Sequence, residues 1–160
     1  MLNVNIICIG RLKEKYLRDA CEEYSKRLGA FCKLNIIELS NVALPDNPSQ
    51  AQIISGMEQE GKKILEKIPQ NSLVYTMCIE GEQRSSEQFG EEISQAMVEG
   101  VSNMTFIIGG SFGLSDEVKK SSKKKMSMSK MTFPHQLARV MLLEQIYRAF
   151  QIISGGKYHK

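Results

Sequence analysis

The sequence predicts an α/β domain with a largely parallel sheet flanked by helices. Short apolar runs rich in β-branched residues alternate with longer segments whose apolar residues recur every three to four positions. That alternation is typical of parallel strands joined by covering helices. The chain has 160 residues, of which 42% are hydrophobic and 24% charged. This is the size and composition of one globular domain, so we expect a single domain over residues 1–160 and no disordered chain.

The first part of the chain is predicted to hold two strands and two helices. A strand over residues 2–9 precedes a helix over residues 13–28, in which apolar or small residues recur every fourth position. A strand over residues 33–39 follows. A loop with two prolines then leads to a helix over residues 50–68. Each boundary carries a residue that interrupts regular structure: Gly10, Gly29, Pro45, Pro48 and Pro69.

The second part continues the alternation with three strands and three helices. The expected strands cover residues 72–79, 104–108 and 125–131. The expected helices cover residues 85–99, 115–120 and 135–154. Ser85 and Gln88 have the spacing of a capping box, which supports the start of the first of these helices. Gly155 and Gly156 are expected to release residues 157–160 as a free tail.

Charge is unevenly distributed along the chain. Residues 1–118 carry 11 Lys/Arg and 17 Asp/Glu, a net charge of −6. Residues 119–160 carry 10 Lys/Arg and one acid, a net charge of +9. A basic end of this kind suits a polyanion such as a nucleic-acid backbone, although the lysine run could also be a solvated turn. The basic candidates for RNA contact are Lys123, Lys124, Lys125 and Arg139.

The remaining composition narrows the class of protein. No apolar run approaches the roughly 20 residues that a membrane helix needs, and no basic leader with a cleavage pattern is present. We therefore expect a cytosolic protein. The four cysteines form no C-x-x-C pair and are expected to be buried, reduced thiols: Cys8, Cys21, Cys32 and Cys78. The chain has only two histidines in addition to these cysteines, so no metal site is predicted.

A glycine-rich loop follows the fourth predicted strand. Residues 109–113 read Gly-Gly-Ser-Phe-Gly, at the edge of a parallel sheet where ligands bind. The spacing matches neither the dinucleotide fingerprint nor the phosphate-binding loop with its lysine, so a phosphate-transferring nucleotide enzyme is not favoured. Taken alone, the loop could be an ordinary turn or a place where backbone approaches a ligand.

Several long strings identify a family. They are the stretch from Phe-Ile-Ile-Gly-Gly to Gly-Leu over residues 106–114, Ser-Lys-Met-Thr-Phe-Pro-His-Gln over residues 129–136, Glu-Gln-Ile-Tyr-Arg-Ala-Phe over residues 144–150, and the final Tyr-His-Lys. Over essentially the whole chain, the sequence resembles the ribosomal RNA large subunit methyltransferase H family, a group of small SPOUT methyltransferases. The resemblance implies a C-terminal trefoil knot, a homodimer and S-adenosyl-L-methionine as methyl donor. It also implies N3 methylation of a pseudouridine in 23S rRNA within the assembled ribosome.

The resemblance also implies which residues form the site. The cofactor residues carried over from it are Met77, Gly109, Met128, Ser129, Lys130, Met131, Thr132 and Phe133. Methyl transfer needs orientation and removal of the N3 proton rather than a covalent nucleophile. His159 is a candidate base, Arg148 and Lys160 are candidates for stabilising the developing anion, and Tyr158 is a candidate RNA contact. Alternatively, the tail only docks RNA, and a non-catalytic ribosome-binding module would use the same basic end.

Overall fold

The computed structural model describes all of residues 1–160 and contains five strands and five helices in alternation. The elements are β1 (Asn3–Ile9), α1 (Lys15–Leu28), β2 (Lys33–Leu39), α2 (Gln50–Lys67), β3 (Ser72–Gln83), α3 (Ser86–Val98), β4 (Asn103–Ile108), α4 (Asp116–Ser121), β5 (Lys124–Ser127) and α5 (His135–Ile153). The strands form one sheet in the order β2-β1-β4-β3-β5, and every neighbouring pair is parallel. The predicted α/β class and parallel sheet are therefore confirmed, while the trefoil knot stays a prediction.

Most element boundaries agree with the sequence patterns to within two residues. Strand β2 has the predicted bounds, and α3 begins with the predicted capping box, in which Ser85 and Gln88 bond each other's backbone N–H groups. Two strands differ. β3 continues four residues beyond the predicted end at residue 79, and β5 ends at Ser127 rather than at residue 131. Both differences fall at the same edge of the sheet and shape the cavity described below.

The central strands are buried on both faces, which explains their continuous apolar sequences. Along β1, alternate side chains enter a large core under α1, α3 and α5 or a smaller core under α2 and α4. In the large core the rings of Tyr75 and Phe106 stack at 4.9 Å, and Phe89 meets both edge-on. The smaller core contains Ile7, Ile9, Ile64, Val74, Ile107, Leu114 and Val118. No helix combines the length and apolar character needed to cross a membrane.

Arg139 fastens the start of α5 to the sheet. Its side chain is 3% exposed, and its guanidinium donates to Glu38 at 2.7 Å and to the carbonyl of Gly10 at 3.1 Å. Glu38 lies near the end of β2, and Gly10 follows β1. These bonds of Arg139, called the Arg139 clamp below, therefore set where α5 begins relative to the sheet edge. The expectation that Arg139 contacts RNA is corrected, because the buried guanidinium is already committed to the fold.

Candidate active site

A cavity of about 860 Å³ opens at the carboxyl edge of β3, β4 and β5. Three chain segments form its walls: residues 77–80 of β3, residues 108–114 around the loop after β4, and residues 126–135 between β5 and α5. Carboxyl ends of parallel strands meet at one edge, which is where open α/β sheets bind their ligands. The cavity thus joins the glycine-rich loop to the segment before the last helix.

An irregularity in β3 builds the first wall. Met77 and Glu82 are both in register with Met126 of β5, so the four residues between them bulge out of the ladder. Three of those four, Cys78, Ile79 and Glu80, line the cavity. The fourth is Gly81, where an added Cβ would lie 2.7 Å from backbone atoms of β5. Bulges re-aim side chains beside functional sites, and here a glycine makes the close strand contact possible.

The glycine-rich loop builds the second wall as a tight turn. The Gly113 N–H donates to the Gly110 carbonyl at 3.0 Å, and Gly113 has a φ of +89°, which favours glycine. Gly109 packs so closely on this turn that an added Cβ would lie 2.7 Å from the Gly113 carbonyl carbon and oxygen. The loop is therefore both a turn and a ligand-facing surface, because the same backbone lines the cavity.

The third wall is the stretch between β5 and α5. It is ordered by hydroxyl bonds: Ser127 donates to the Ser129 carbonyl at 2.9 Å, and the Ser129 hydroxyl accepts from the Met131 N–H at 3.0 Å. Seven of the eight expected cofactor residues line the cavity, namely Met77, Gly109, Met128, Ser129, Met131, Thr132 and Phe133. Lys130 is exposed and does not line it. Apolar walls with exposed backbone suit a nucleoside carrying a thioether-like chain.

One ion pair lies among the lining residues, and the sequence patterns did not predict it. Lys119 of α4 and Glu80 of the β3 bulge are 2.5 Å apart, and this hydrogen bond holds the pKa of Glu80 below its usual value. Glu80 was missed because the strand was expected to end at residue 79. The glycine at position 81 was the available signal, since an isolated glycine in a strand pattern indicates a bulge.

The C-terminal tail is not free, which corrects the expectation from the two glycines. The Tyr158 hydroxyl donates to Glu144 at 2.5 Å, and this bond raises the pKa of Tyr158 to about 12. The Tyr158 ring packs edge-on against Tyr147 at 4.8 Å, and the Arg148 guanidinium lies 4.7 Å above it. The tail therefore folds back along α5.

His159 also holds the tail against the rest of the chain. Its Nδ1 lies 3.1 Å from Arg148 Nη1, and its Nε2 lies 2.6 Å from a carboxylate oxygen of Glu87. Because a guanidinium can only donate, Nδ1 accepts and Nε2 carries the proton given to Glu87. Arg148 also donates to Glu144 at 2.8 Å. His159, Arg148 and Lys160 do not line the cavity of their own chain, so the structure does not bring these residues to the expected cofactor residues.

The lysine run differs from residue to residue. Lys123 and Lys125 are exposed, whereas Lys124 is half-buried and lies 3.2 Å from Glu92. Glu92 also pairs with Arg84 and accepts from the Tyr75 hydroxyl at 3.2 Å, so Lys124 belongs to an ion network within the chain. Two of the three expected lysine contacts are thus available to a phosphate backbone.

The thiols are poor nucleophiles. All four cysteines are free, and burial raises the pKa of Cys8 to about 12 and that of Cys32 to about 11. Burial also raises the pKa of Cys21 and of Cys78, the one thiol that lines the cavity. Since the thiolate is the reactive form, these groups stay protonated at neutral pH. No group of three or more His, Cys, Asp or Glu side chains is arranged to hold a metal ion.

Comparison with known proteins shows what the whole chain is similar to. Residues 2–159 match the family model described as predicted SPOUT methyltransferase. The chain is 53% identical to ribosomal RNA large subunit methyltransferase H 1 of Clostridium perfringens over 159 residues, 99% of this chain and 100% of that protein. It is 50% identical to ribosomal RNA large subunit methyltransferase H of Streptococcus thermophilus, with the same coverage. Its fold is similar to a solved probable methylase family protein from Haemophilus influenzae, with a TM-score of 0.56, 13% identity, and coverage of 99% of this chain and 71% of that one.

Proposed function

Because the chain belongs to the SPOUT methyltransferase family, we propose that it transfers a methyl group from S-adenosylmethionine to N3 of a pseudouridine in 23S rRNA. The similar proteins are named for the large-subunit ribosomal RNA, which supports this class of substrate. The proposed place of action is the assembled ribosome in the cytoplasm. The observation that carries the proposal is the cavity at the carboxyl edge of the sheet, which gathers seven of the eight cofactor residues that the sequence resemblance implies.

The walls fit the proposed methyl donor. Met77, Met128 and Phe133 offer an apolar surface to a purine, and the tight turn at Gly109 leaves backbone where a Cβ would intrude. S-adenosylmethionine supplies a methyl group on a positively charged sulfur, so the protein's task is to orient the acceptor nitrogen in line with that group. A reactive thiol is not needed, which agrees with four protonated cysteines.

A homodimer would complete the site. The cavity has an apolar rim with large exposed side chains: Ile79 is 53% exposed and Met131 73%. Such a rim is suited to burial against a second copy of the chain. In the proposed dimer, each cavity receives the C-terminal tail of the other protomer. Arg148 and Lys160 then stabilise the charge that develops on the target nucleobase. His159 brings its imidazole to the same nucleobase, and Tyr158 stacks on RNA.

Two measurements on the purified protein test this proposal. Calorimetric titration should show binding of S-adenosylmethionine, and the protein should methylate ribosomes that lack the modification. Mass spectrometry of the 23S rRNA should place the new methyl group on N3 of a pseudouridine. Ribosome binding without cofactor binding would contradict the proposal and indicate a non-catalytic binding module instead.

The exposed lysines should govern the salt dependence of ribosome binding. Each phosphate contact that is lost should reduce the slope of log affinity against log salt by about 1. We therefore expect the double variant Lys123→Gln/Lys125→Gln to flatten the slope by about 2, measured by filter binding across a salt series. Lys124 stays unchanged because it pairs with Glu92.

The matched control removes two exposed lysines from α2 in the variant Lys62→Gln/Lys63→Gln. This control has the same change in net charge but should keep the wild-type slope. Equal slopes in all three proteins would mean that the lysine run is only a solvated turn.

A further inference from the structure

A second, smaller cavity adjoins the one assigned to the cofactor. It has a volume of about 260 Å³ and lies beyond the carboxyl ends of β1 and β2, between α2 and the start of α5. Gly110, Ser111, Phe112 and His135 line both cavities, so the two spaces share one wall. A ligand in the smaller cavity would therefore lie directly beside a ligand in the larger one.

His135 is the one ionisable side chain that lines both cavities. It is the first residue of α5, and the Arg139 clamp one turn later fixes its backbone. Its ring makes no hydrogen bond within the chain, in contrast to the ring of His159. The side chain is half-buried at the boundary between the two cavities.

The surroundings keep this imidazole neutral. Burial lowers the pKa of His135, the positive charges of Arg139 and Lys13 lower it further, and Glu60 opposes them. With a pKa below the usual value, the ring is unprotonated at neutral pH, which is the form that can act as a base. Position at a helix N-terminus acts in the same direction.

The smaller cavity has the chemistry of a site for a pyrimidine base. Phe112 is 52% exposed and offers an aromatic face on which a base can stack. Glu60 can accept hydrogen bonds from a base edge, and it is already fixed by the Val42 N–H at 2.9 Å. Gln136, whose side-chain oxygen accepts from the Lys13 N–H at 3.3 Å, keeps its amide NH₂ to donate. Arg11 and Lys13 add positive charge for the attached backbone.

We propose that the smaller cavity receives the target pyrimidine and that His135 accepts the proton from its N3 during methyl transfer. This inference rests on the proposed function and deepens it by naming the base and the subsite of the substrate. Both ring nitrogens of His159 are occupied in this structure, so the tail is left with recognition and charge stabilisation.

The step balances as a proton transfer coupled to a displacement. The N3–H bond breaks and its proton goes to the free imidazole nitrogen of His135. The electron pair left on N3 forms a bond to the methyl carbon of S-adenosylmethionine. The carbon–sulfur bond breaks with its electrons on sulfur, giving neutral S-adenosylhomocysteine, and the imidazolium later releases its proton to water.

Single-turnover methylation measured against pH tests the inference. In His135→Gln we expect the rate at pH 7 to fall by about 100-fold or more, which is the range for loss of a general base. That rate should then climb steadily with pH as N3 ionises without help, whereas the wild-type rate should level off once His135 is deprotonated. Affinity for S-adenosylmethionine, measured by calorimetry, should stay within a few-fold of wild type and also shows that the variant is folded.

A second variant separates the chemical role from a structural one. His135→Ala leaves a space that imidazole from the buffer can enter, so added imidazole should restore part of its rate. His159→Ala should keep the shape of the wild-type pH profile even where its rate is lower, and imidazole should not rescue it.

The outcomes separate failure of this inference from failure of the proposed function. A wild-type profile in His135→Gln, absence of rescue in His135→Ala, or loss of cofactor binding in both variants would overturn the role of His135 while wild-type methylation stands. If the wild-type protein methylates no ribosome at all, the proposed function fails and this inference fails with it.

Discussion

Replacing Gly109 with valine should abolish the binding of S-adenosylmethionine. The added Cβ would lie 2.7 Å from the carbonyl carbon and oxygen of Gly113 and 3.0 Å from Leu114 Cδ2. Two of these contacts are with backbone, so the turn itself has to move, and the moved turn forms one wall of the cavity. We expect affinity in a calorimetric titration to fall by at least about 100-fold. Overpacking of this kind typically costs about 1–3 kcal/mol of stability, so the sheet should remain folded.

A matched pair of alanine variants controls for the loss of a glycine. Gly109→Ala already introduces the clashing Cβ and should bind the cofactor poorly. Gly90→Ala adds the same atom in α3, where the nearest atom would be at an ordinary 3.5 Å. That second variant should bind normally. Unchanged affinity in Gly109→Val would remove Gly109 from the cofactor pocket.

Deleting residues 157–160 should abolish methylation of ribosomes and leave the affinity for S-adenosylmethionine nearly intact. None of these residues lines the cavity of its own chain, and the tail received from the other protomer is proposed to meet the RNA base rather than the cofactor, so the cofactor walls stay in place. The deletion removes an aromatic ring, an imidazole and two positive charges from the surface that we propose meets RNA and the other protomer's cavity. The measurements are calorimetry for the cofactor and methyl incorporation into ribosomes for activity.

The docked position of the tail changes what the deletion should do to stability. The shortened chain lacks the hydrogen bond from Tyr158 to Glu144 and the cation–π contact between Arg148 and Tyr158, which together are worth about 1–3 kcal/mol. The contact of His159 with the exposed Glu87 adds little. Thermal unfolding should therefore show a modest loss, and Tyr158→Phe, which keeps the ring, should show less. Full activity in the deletion variant would exclude any role for the tail.

Local patterns were sufficient to predict the strands and helices. β2 and the start of α5 lie where the sequence placed them, because apolar periodicity and the flanking glycines and prolines act over a few residues. The long strings around Gly109 and residues 129–136 also carried the family, and most cofactor residues followed from it. Those inferences needed no knowledge of which distant residues meet.

Only the tertiary structure decided features that depend on distant partners. From the sequence alone, Gly81 indicates the end of a strand. In the structure it lies against β5 as the last residue of a bulge, and this bulge adds Glu80 to the cavity. From the sequence alone, Arg139 is expected to be a surface cation. In the structure it is buried in an ion pair with Glu38, which is 101 positions away in the sequence.

The tail and the second cavity follow the same principle. Two glycines predict a free tail, yet Glu144 and Glu87 hold it against α5 and α3. In the sequence His135 is only the first residue of a helix, and its place between two cavities depends on distant chain segments meeting at one edge of the sheet. Sequence periodicity reports which face of an element is apolar. Pairing between charged or close-packed groups is settled only when the whole chain has folded, because its free energy depends on contacts that no local window contains.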